Sequence, residues 1–199
     1  MTCSEVEVIS ELFLASNLAG ALVEDHQGNI WVACALSDSG SRAGVSRFDR
    51  TSWRTFTTTN SGLASDNVAS MFVDRAGTIW FGTENGPTSY DGTNWTRFDK
   101  PKASRANAIT QDRAGRMWFA GNVEACRYDG TTWDYFYQEL PPGPLTDIFE
   151  DRAGNIWAGT WGGGVARYDS STWKTFGVAD GIANLNISKL FEDASGALW

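Results

Sequence analysis

The side chains that could do chemistry are few and scattered along the 199 residues of the chain. His26 is the only histidine, and it stands in an Asp-x-x-Gly turn sequence, where neither a Ser-His-Asp nor a Cys-His catalytic set can be built around it. Glu84 and Glu124 could act together as acid and base if the fold brings them close. No dense acidic loop of the calcium-binding type appears. We predict no catalytic residue, no metal site and no cofactor.

Trp161 is the side chain best suited to hold a ligand by contact alone. It is followed by the three glycines Gly162, Gly163 and Gly164. A Trp in such a loop can stack on a sugar ring, on a peptide aromatic or on a neighbouring loop. Ligand contact and loop packing are equally compatible with this pattern.

Charge and cysteine content exclude several classes of partner. The net charge is −8 and the isoelectric point is near 4.6, which argues against nucleic acid and against anionic lipid. Cys34 and Cys126 lie in apolar, strand-like contexts and are predicted to be buried free thiols, and with Cys3 they form neither a disulfide framework nor a zinc site. No apolar window approaches the length of a membrane span, so we predict no membrane insertion, and no signal peptide is visible.

The sequence repeats itself, and the repeat is its strongest structural signal. A first pattern reads Asp-x-x-Gly-x-x-Trp, and its Trp residues follow one another at intervals of 49, 38, 39 and 42 positions. Its five copies begin at Asp25, Asp74, Asp112, Asp151 and Asp193. Asp can accept hydrogen bonds from the backbone two residues on, and Gly can adopt the positive φ that closes a hairpin. Each copy therefore predicts a β-hairpin.

A second pattern, aromatic-Asp-x-x-x-Trp-x-x-Phe, alternates with the first. Its four copies begin at Phe48, Tyr90, Tyr128 and Tyr168. Together the two patterns account for nine of the ten Trp residues, which we predict to be core side chains between repeats. Arg47, Arg127 and Arg167 stand two residues before Asp49, Asp129 and Asp169, and this spacing on one strand face favours a structural ion pair or a clasp of the turn over substrate binding.

Each repeat divides into four short strand-like runs. In the second repeat these are Val68–Val73, Thr78–Thr83, Thr88–Tyr90 and Trp95–Phe98. Four antiparallel strands repeated at this period describe the blade of a β-propeller. We predict an all-β fold, a β-propeller of four-stranded antiparallel blades with four full repeats and a partial fifth, forming a single domain over residues 1–199.

The partial fifth repeat leaves two interpretations of the domain. The one we favour is a fragment of a larger propeller. The alternative is a closed five-bladed ring in which Glu5–Leu14 supplies the outer strands of the last blade and removes exposed sheet edges. Against closure, Glu5–Leu14 lacks the aromatic-Asp turn and the Trp of the other repeats.

In a propeller, the loops between second and third strands and those between blades open on one face, which is the default binding surface. The loops predicted there are Ser37–Arg42, Glu84–Gly86, Asn122–Glu124 and Trp161–Gly164, together with the connections Thr57–Asn67, Asp99–Arg105, Tyr137–Pro144 and Gly177–Asn186. The candidate ligand-binding residues are Trp161, Arg105, Asn67, Thr146, Glu84, Asn85 and Arg42. Their polar groups could orient a ligand by hydrogen bonds or form an ordinary solvated rim.

The consensus resembles the two-component regulator propeller repeat over nearly the whole chain. The resemblance is carried by Asp-x-x-Gly-x-Ile-Trp followed by Gly-Thr and Arg-Tyr-Asp, as in the segment Asp151–Asp169. It implies the periplasmic or extracytoplasmic sensor part of a hybrid histidine kinase, which binds a small molecule or an oligosaccharide, with kinase domains elsewhere in the parent protein. Propellers of this family also occur detached from any kinase. In the first and third repeats Ala33-Cys34 and Ala120-Gly121 replace the Gly-Thr, so those loops need not share a family ligand.

Three functions compete on these grounds. The resemblance and Trp161 favour a non-catalytic, ligand-sensing propeller for an oligosaccharide or a similar polar ligand. The alternative is a protein-interaction scaffold. A virginiamycin B lyase-like enzyme is the third hypothesis, but such lyases rely on a catalytic His, and His26 is badly placed for that role.

Overall fold

The strands form four antiparallel sheets. The computed structural model describes residues 19–34, 43–99 and 105–199. The first sheet contains β1 (Ala19–Glu24), β2 (Ile30–Cys34), β3 (Val45–Phe48) and β4 (Trp53–Phe56), and the second contains β5 (Val68–Val73), β6 (Ile79–Thr83), β7 (Gly86–Tyr90) and β8 (Trp95–Arg97). The third contains β9 (Ala108–Gln111), β10 (Met117–Ala120), β11 (Ala125–Tyr128) and β12 (Trp133–Phe136), and the fourth contains β13 (Leu145–Glu150), β14 (Ile156–Thr160), β15 (Val165–Tyr168) and β16 (Trp173–Phe176).

These sheets are the predicted blades, and the all-β prediction is confirmed. In the second blade β5 has the predicted bounds, while β6 begins one residue later, at Ile79, and β7 begins two residues earlier, at Gly86. The chain divides into two compact units, Met1–Asp99 and Lys100–Trp199, each with two blades. The single domain over residues 1–199 stays a prediction. No helix among the described residues has the length and apolar character needed to cross a membrane.

The first pattern forms the predicted hairpins and adds a bond that was not predicted. In the second blade one oxygen of Asp74 accepts the backbone N–H groups of Ala76 and Thr78 at 3.0 and 2.9 Å, and Gly77 closes the turn at φ 88°. The other oxygen accepts the indole N–H of Trp80 at 2.8 Å. The same Asp–Trp bond recurs in the other four copies at 2.7–2.8 Å: Asp25–Trp31, Asp112–Trp118, Asp151–Trp157 and Asp193–Trp199. It fixes each second strand to its own turn.

The second pattern forms the turns between third and fourth strands, and the predicted Arg–Asp pairing has different outcomes in different copies. Hydrogen bonds within the turn and the charge of Arg167 lower the pKa of Asp169, whereas Arg127 has another partner. Asp129 caps its turn by accepting the N–H groups of Thr131 and Thr132 at 2.8 and 2.7 Å. Arg127 instead bonds Asp134 on the neighbouring strand, with 2.9 Å between Nε and Oδ2, so the pairing predicted for Arg127 is wrong.

The guanidinium groups of Arg47, Arg127 and Arg167 lie over the rings of Trp31, Trp118 and Trp157, at 5.8, 5.4 and 5.9 Å from the centroids. An aromatic face attracts a cation, and in each case the Trp lies on the strand next to that of the Arg.

Within each unit the core lies between neighbouring blades. In the first unit Trp31 contacts Phe81 and Tyr90 of the next blade, with ring centroids 5.8 Å apart in both cases. In the second unit Trp118 contacts Tyr168 and Trp173 at 5.6 and 6.3 Å. Of the nine Trp residues predicted to be core, Trp31, Trp80 and Trp118 are buried, while Trp53, Trp95, Trp133, Trp157 and Trp173 are half-buried. The prediction is wrong for Trp199, which is 67% exposed.

Arginine side chains connect the hairpins of successive blades in the second unit. Arg113 donates to the carbonyl oxygens of Arg152 and Asp151 at 2.6 and 3.1 Å. Arg152 in turn donates to the carbonyl oxygen of Ala194 at 2.9 Å. In the first unit the corresponding residue is His26, whose Nδ1 would lie 3.0 Å from a Cβ placed on Gly77 in the next hairpin. These inter-hairpin contacts explain the long side chain that follows Asp in the first, third and fourth copies of the first pattern, where His26, Arg113 and Arg152 stand.

The fifth repeat is present as a hairpin packed on the fourth blade, as predicted. Phe191 and Trp199 exchange two backbone hydrogen bonds, of 3.0 and 2.9 Å. Thr146 and Asp147 on β13 hold the segment before the hairpin, because the hydroxyl of Thr146 bonds the carbonyl oxygen of Ile187 at 2.6 Å and Asp147 accepts the N–H of Leu190 at 2.8 Å.

Both cysteines that were predicted to be buried free thiols are confirmed as such. Cys34 and Cys126 are free and buried. Burial, together with the charge of Glu124, raises the pKa of Cys126 far above its usual value, so this thiol stays protonated and unreactive. Cys3 lies outside the described residues.

Candidate functional site

Three loops of the second unit meet at the end of the blades opposite the Asp-x-x-Gly hairpins. They are the β10–β11 loop, the β12–β13 connection and the β14–β15 loop. The N–H of Leu145 donates to the carbonyl oxygen of Gly121 at 3.0 Å, and the N–H of Trp161 donates to that of Pro144 at 2.8 Å. These bonds tie the three segments together at their bases. We call this region the loop end of the second unit.

Trp161 stands at this loop end with its backbone fixed and its side chain open. Its backbone is held by Pro144 and forms a bridge with Asn186. The side chain is nevertheless 57% exposed. Loop packing therefore involves the backbone of Trp161, and the indole ring is left on the surface.

The glycines after Trp161 are required by close backbone approach. Gly162 and Gly164 have φ of 102° and 86°, the left-handed region that favours glycine. A Cβ on Gly163 would overlap the carbonyl oxygen of Pro142 and lie 2.8 Å from Cβ of Pro141. The glycine run thus lets the β14–β15 loop lie directly against the proline-rich β12–β13 connection.

Beside these contacts lies an open groove of about 640 Å³. Its lining residues are Asn122, Val123, Tyr137, Leu140, Pro141, Pro142, Gly143 and Pro144. Val123 and Tyr137 are 65% and 58% exposed. The groove therefore combines rigid apolar walls with the amide of Asn122, an arrangement suited to stacking and hydrogen bonding, and none of its lining residues is a carboxylate, His or Cys.

Three of the predicted residues lie together in the first unit, where the β6–β7 loop meets the residue before β5. The buried Asn67 donates its side-chain N–H to Oε2 of Glu84 at 3.0 Å, and the N–H of Glu84 donates to the carbonyl oxygen of Asn67 at 3.1 Å. Asn85 follows on the same loop and donates to the carbonyl oxygen of Ala64 at 3.2 Å. Glu84 and Asn85 remain exposed to solvent. Their exposed polar atoms form a hydrophilic rim.

The other predicted residues have different surroundings. Arg105 is half-buried, and its Nε has no hydrogen-bond partner among the described residues. The hydroxyl of Thr146 is engaged with the backbone oxygens of Gly159 and Ile187, at 3.1 and 2.6 Å. Arg42 lies outside the described residues. The structure therefore brings together Asn67, Glu84 and Asn85, while Trp161 lies at the loop end of the other unit.

The candidate acid–base groups of the sequence do not form a catalytic set within either unit. Glu84 belongs to the first unit and Glu124 to the second, so their pairing stays a prediction. His26 lies on the hairpin packed against Gly77, at the opposite end of the strands from Glu84.

Sequence reasoning missed the groove itself. Tyr137 and the prolines fall in a connection that was assigned to the loop face, but none was singled out as a ligand contact. The available signal was the run Pro141-Pro142-Gly143-Pro144, because proline fixes the backbone and stiffens a loop. Asn107 was also missed: its side-chain N–H donates to Oδ1 of Asn122 at 3.1 Å and to the carbonyl oxygen of Leu145 at 2.9 Å, which orients the amide at the groove.

Comparison with known proteins identifies the repeat. The family model described as "Two component regulator propeller" matches residues 62–85 and 139–162. The first segment contains β5 and β6, and the second contains β13, β14 and Trp161. No curated protein matches the chain.

Solved structures share the fold. The extracellular domain of a hybrid two-component system from B. thetaiotaomicron is 25% identical over 94% of this chain and 28% of its own, with a TM-score of 0.76. A second such domain from B. thetaiotaomicron is 17% identical over 91% of this chain and 25% of its own, with a TM-score of 0.75. Virginiamycin B lyase from Staphylococcus aureus is 15% identical over 91% of this chain and 62% of its own, with a TM-score of 0.69.

The chain spans only about a quarter of the length of these two extracellular domains, 28% and 25%. The fold prediction is confirmed by the four blades, the matched repeats and these structures taken together. The chain has a β-propeller fold, and two of its segments, residues 62–85 and 139–162, match the two-component regulator propeller repeat.

Proposed function

We propose that this chain is a non-catalytic, ligand-binding propeller that serves as part of the extracytoplasmic or periplasmic sensor of a two-component system. Its ligand is an oligosaccharide or a similar polar molecule, and it binds at the loop end of the second unit. The observation that carries the proposal is the exposed indole of Trp161 on a loop whose backbone is fixed. The likeness to extracellular domains of hybrid two-component systems supports the location and the link to kinase domains in a parent protein.

The fixed backbone makes Trp161 suitable for binding. Gly162 and Gly164 both donate backbone N–H groups to the carbonyl oxygen of Leu185, at 3.1 and 3.0 Å, in addition to the Trp161–Pro144 bond. Little conformational entropy is therefore lost when a ligand covers the ring. The apolar face of a pyranose ring can stack on an indole, and its hydroxyl groups remain available for hydrogen bonds.

The neighbouring groove offers both kinds of contact. Tyr137 and Leu140 supply apolar surface, and the prolines keep that surface rigid. The exposed Asn122 has amide groups that can bond sugar hydroxyls as donor and acceptor. A volume of about 640 Å³ accommodates a small oligosaccharide.

The residues that line the groove also support a role without catalysis. Hydrolysis or elimination needs a positioned acid or base, and the groove residues supply neither a carboxylate nor an imidazole. The likeness to virginiamycin B lyase, at 15% identity, is a likeness of fold alone.

A glycan array followed by titration calorimetry tests the proposal, with the variant Trp161→Ala. The matched control is Trp199→Ala, which removes an indole of similar exposure, 67% against 57%, from the hairpin of the fifth repeat. We expect a sugar that stabilises the protein against heat and binds at least about tenfold more weakly to Trp161→Ala, with binding to Trp199→Ala unchanged. If no sugar binds and a protein is captured specifically through the groove, the chain is an interaction scaffold instead. Turnover that disappears on mutating one loop carboxylate would show an enzyme.

A further inference from the structure

Asn107 and Asn122 decide which polar group the groove at the loop end of the second unit offers to a ligand. The backbone N–H of Asn107 donates to the carbonyl oxygen of Ala120 at 2.7 Å. The side-chain NH2 group of Asn107 donates to the carbonyl oxygen of Leu145 at 2.9 Å and to Oδ1 of Asn122 at 3.1 Å. Both protons of that NH2 group are therefore engaged, and Asn107 is held through its backbone and its side chain.

These two side-chain bonds fix the orientation of both amides. A backbone carbonyl oxygen can only accept a hydrogen bond, so the atom of Asn107 beside Leu145 must be its nitrogen. The same nitrogen faces the amide of Asn122, and an amide NH2 group is a donor only, so Asn122 must turn its oxygen towards Asn107. The NH2 group of Asn122 is at the other end of that amide.

Asn122 therefore presents a donor to the groove. It is exposed and lines the groove, whereas Asn107 is half-buried and does not line it. The oxygen of Asn122 already accepts a hydrogen bond, which leaves the NH2 group as the end that is available to a ligand. A ligand group that meets this end of the amide must supply an acceptor.

The first unit contains the same kind of bond with the opposite chemistry. There the side-chain N–H of Asn67, just before β5, donates to Oε2 of Glu84 in the β6–β7 loop at 3.0 Å. The second oxygen of Glu84 is an acceptor, whereas the second group of Asn122 is a donor. The residue in the loop after the second strand thus sets the polarity that each unit presents.

The surroundings of Asn122 disfavour an acceptor that is charged. None of the described residues that line the groove carries a charge, and Arg105 is not among them. The two charged side chains that are adjacent in sequence to lining residues, Glu124 and Glu139, are both negative. A carboxylate or sulfate would lose water here without gaining a cation, and a neutral carbonyl oxygen avoids that cost.

Apolar surface lies beside the donor. Val123 directly follows Asn122 and is 65% exposed, and Leu140 and Pro141 line the same groove. An acetamido group joins a neutral carbonyl oxygen, which accepts a hydrogen bond, to a methyl group, which apolar side chains can cover. A sugar hydroxyl can also accept a hydrogen bond, but it has no methyl group to bury.

We propose that the groove selects a sugar with an N-acetyl group at carbon 2, and that Asn122 recognises this group. The inference rests on the proposed function, because it specifies the sugar that binds beside Trp161. The NH2 group of Asn122 donates to the acetamido carbonyl oxygen, and the acetamido methyl group packs on the apolar lining. Asn107 is a positioning residue, since it holds the amide of Asn122 with its NH2 group towards the ligand.

The test is titration calorimetry of the full chain with matched pairs of oligosaccharides. The members of a pair have the same length and linkage and differ only at carbon 2: oligomers of N-acetylglucosamine against those of glucose, and of N-acetylgalactosamine against those of galactose. We expect an acetamido oligomer to bind at least about tenfold more tightly than its hydroxyl counterpart, because it adds a better acceptor and a buried methyl group. An oligomer of glucuronic acid, the anionic probe, should bind more weakly than the acetamido oligomer.

Two variants test the donor and its orientation. Asn122→Asp keeps an oxygen for Asn107 but replaces the NH2 group by a second oxygen, and it should weaken binding of the acetamido oligomer at least about tenfold. Its hydroxyl counterpart should lose less, because a hydroxyl can donate to the new carboxylate. Asn107→Ala lets the amide of Asn122 turn, so the preference for the acetamido member should fall while the hydroxyl member binds as before.

The matched control is Gln138→Glu. It changes an amide to a carboxylate at an exposed position of the β12–β13 connection that does not line the groove, so the ratio of affinities within a pair should stay unchanged. Circular dichroism checks that each variant folds.

The outcomes separate this inference from the function on which it rests. Sugar binding that Trp161→Ala weakens, but that is equal within every pair or keeps its ratio in Asn122→Asp, overturns the inference and leaves the proposed function standing. Tightest binding of the glucuronic acid oligomer does the same. If no sugar binds, or if Trp161→Ala binds sugar as tightly as the original chain, the proposed function fails and the inference fails with it.

Discussion

The carboxylate of Asp112 accepts the indole N–H of Trp118 at 2.8 Å across the hairpin that joins β9 and β10. The same carboxylate accepts the backbone N–H of Arg116 at 2.9 Å and the guanidinium of Arg116 at 2.7 Å. The Asp112 side chain is only 1% exposed. A buried charge of this kind is tolerated because its oxygens are saturated with donors, and the bonds orient Trp118 towards the next blade.

We expect Asp112→Asn to lower the free energy of unfolding by about 2 kcal/mol, because an amide loses the charge and presents an N–H to donors that need an acceptor. Urea unfolding of the full chain measures this. The control is Asp134→Asn, which removes a carboxylate that is 51% exposed and bonded to Arg127, and which should cost less than about 1 kcal/mol. Equal losses in the two variants would contradict a special role for the Asp–Trp bond.

The stability of the protein is expected to fall in acid. For Asp25, Asp112 and Asp151, burial raises the pKa, but the hydrogen bonds from Trp, Asn and Arg side chains and from backbone N–H groups outweigh it, so each pKa lies below its usual value. A carboxyl whose pKa is lower in the folded state stabilises the fold fully above the unfolded pKa of about 3.9, and that stabilisation is lost as the pH falls through the folded pKa.

Urea unfolding at a series of pH values measures this dependence. The free energy of unfolding should be steady near neutrality and decline below about pH 4, and the decline should be shallower in Asp112→Asn. A profile in the variant that is as steep as in the original chain would show that Asp112 does not contribute to it.

The inter-hairpin contact of Arg113 should depend on the shape of its side chain as well as on its charge. Arg113→Lys keeps the cation but cannot bond the carbonyl oxygens of both Arg152 and Asp151, so we expect a loss of about 1 kcal/mol. The control is Arg54→Lys, which creates beside Phe56 the arrangement that Lys174 already has over Phe176, with its Nζ 4.9 Å from the ring centroid. Denaturant unfolding of both variants should show a change only for Arg113→Lys.

Gly163→Ala should disturb the loop end of the second unit. The added methyl group would meet Pro142 and Pro141, so the β14–β15 loop must shift, at a cost of about 1–3 kcal/mol. Faster amide hydrogen exchange at Trp161 and Gly164 would report the shift. The matched control is Gly20→Ala on β1, where the nearest atom to the new methyl is the carbonyl oxygen of Ala33 at 3.5 Å and the stability should be almost unchanged. A similar loss in both variants would refute the close-approach explanation of the glycine run.

Recurrence explains why the blades could be predicted from the sequence. Asp74 and Gly77 have local partners, so their turn can be deduced from spacing within six residues. The partners of Arg127 and Arg113 are not local: Asp134 and Trp118 lie on adjacent strands, and Asp151 lies 38 positions away in the next hairpin. The spacing of two residues therefore predicted the strand face of Arg127, but it indicated Asp129 as the partner where the structure has Asp134.

The candidate site was less predictable because it does not repeat. Trp161 was recognised as the Trp outside both patterns, but its exposure depends on where Pro144 and Leu185 hold the backbone, which a single sequence does not reveal. The groove beside it depends on the path of the β12–β13 connection, and only its proline content was visible. Asn67 and Glu84 were both singled out from the sequence, although the hydrogen bond between them was not.

The Asp–Trp bonds and inter-hairpin contacts are concentrated at one end of the strands, and the groove is at the other. In the second unit, Asn122, Val123 and Tyr137 are exposed, and none of them forms part of the bonds that hold the hairpins. A library randomised at these positions should therefore keep the blades intact while changing the surface that the groove presents. Used in this way, the full chain would be a scaffold for selecting new binding proteins.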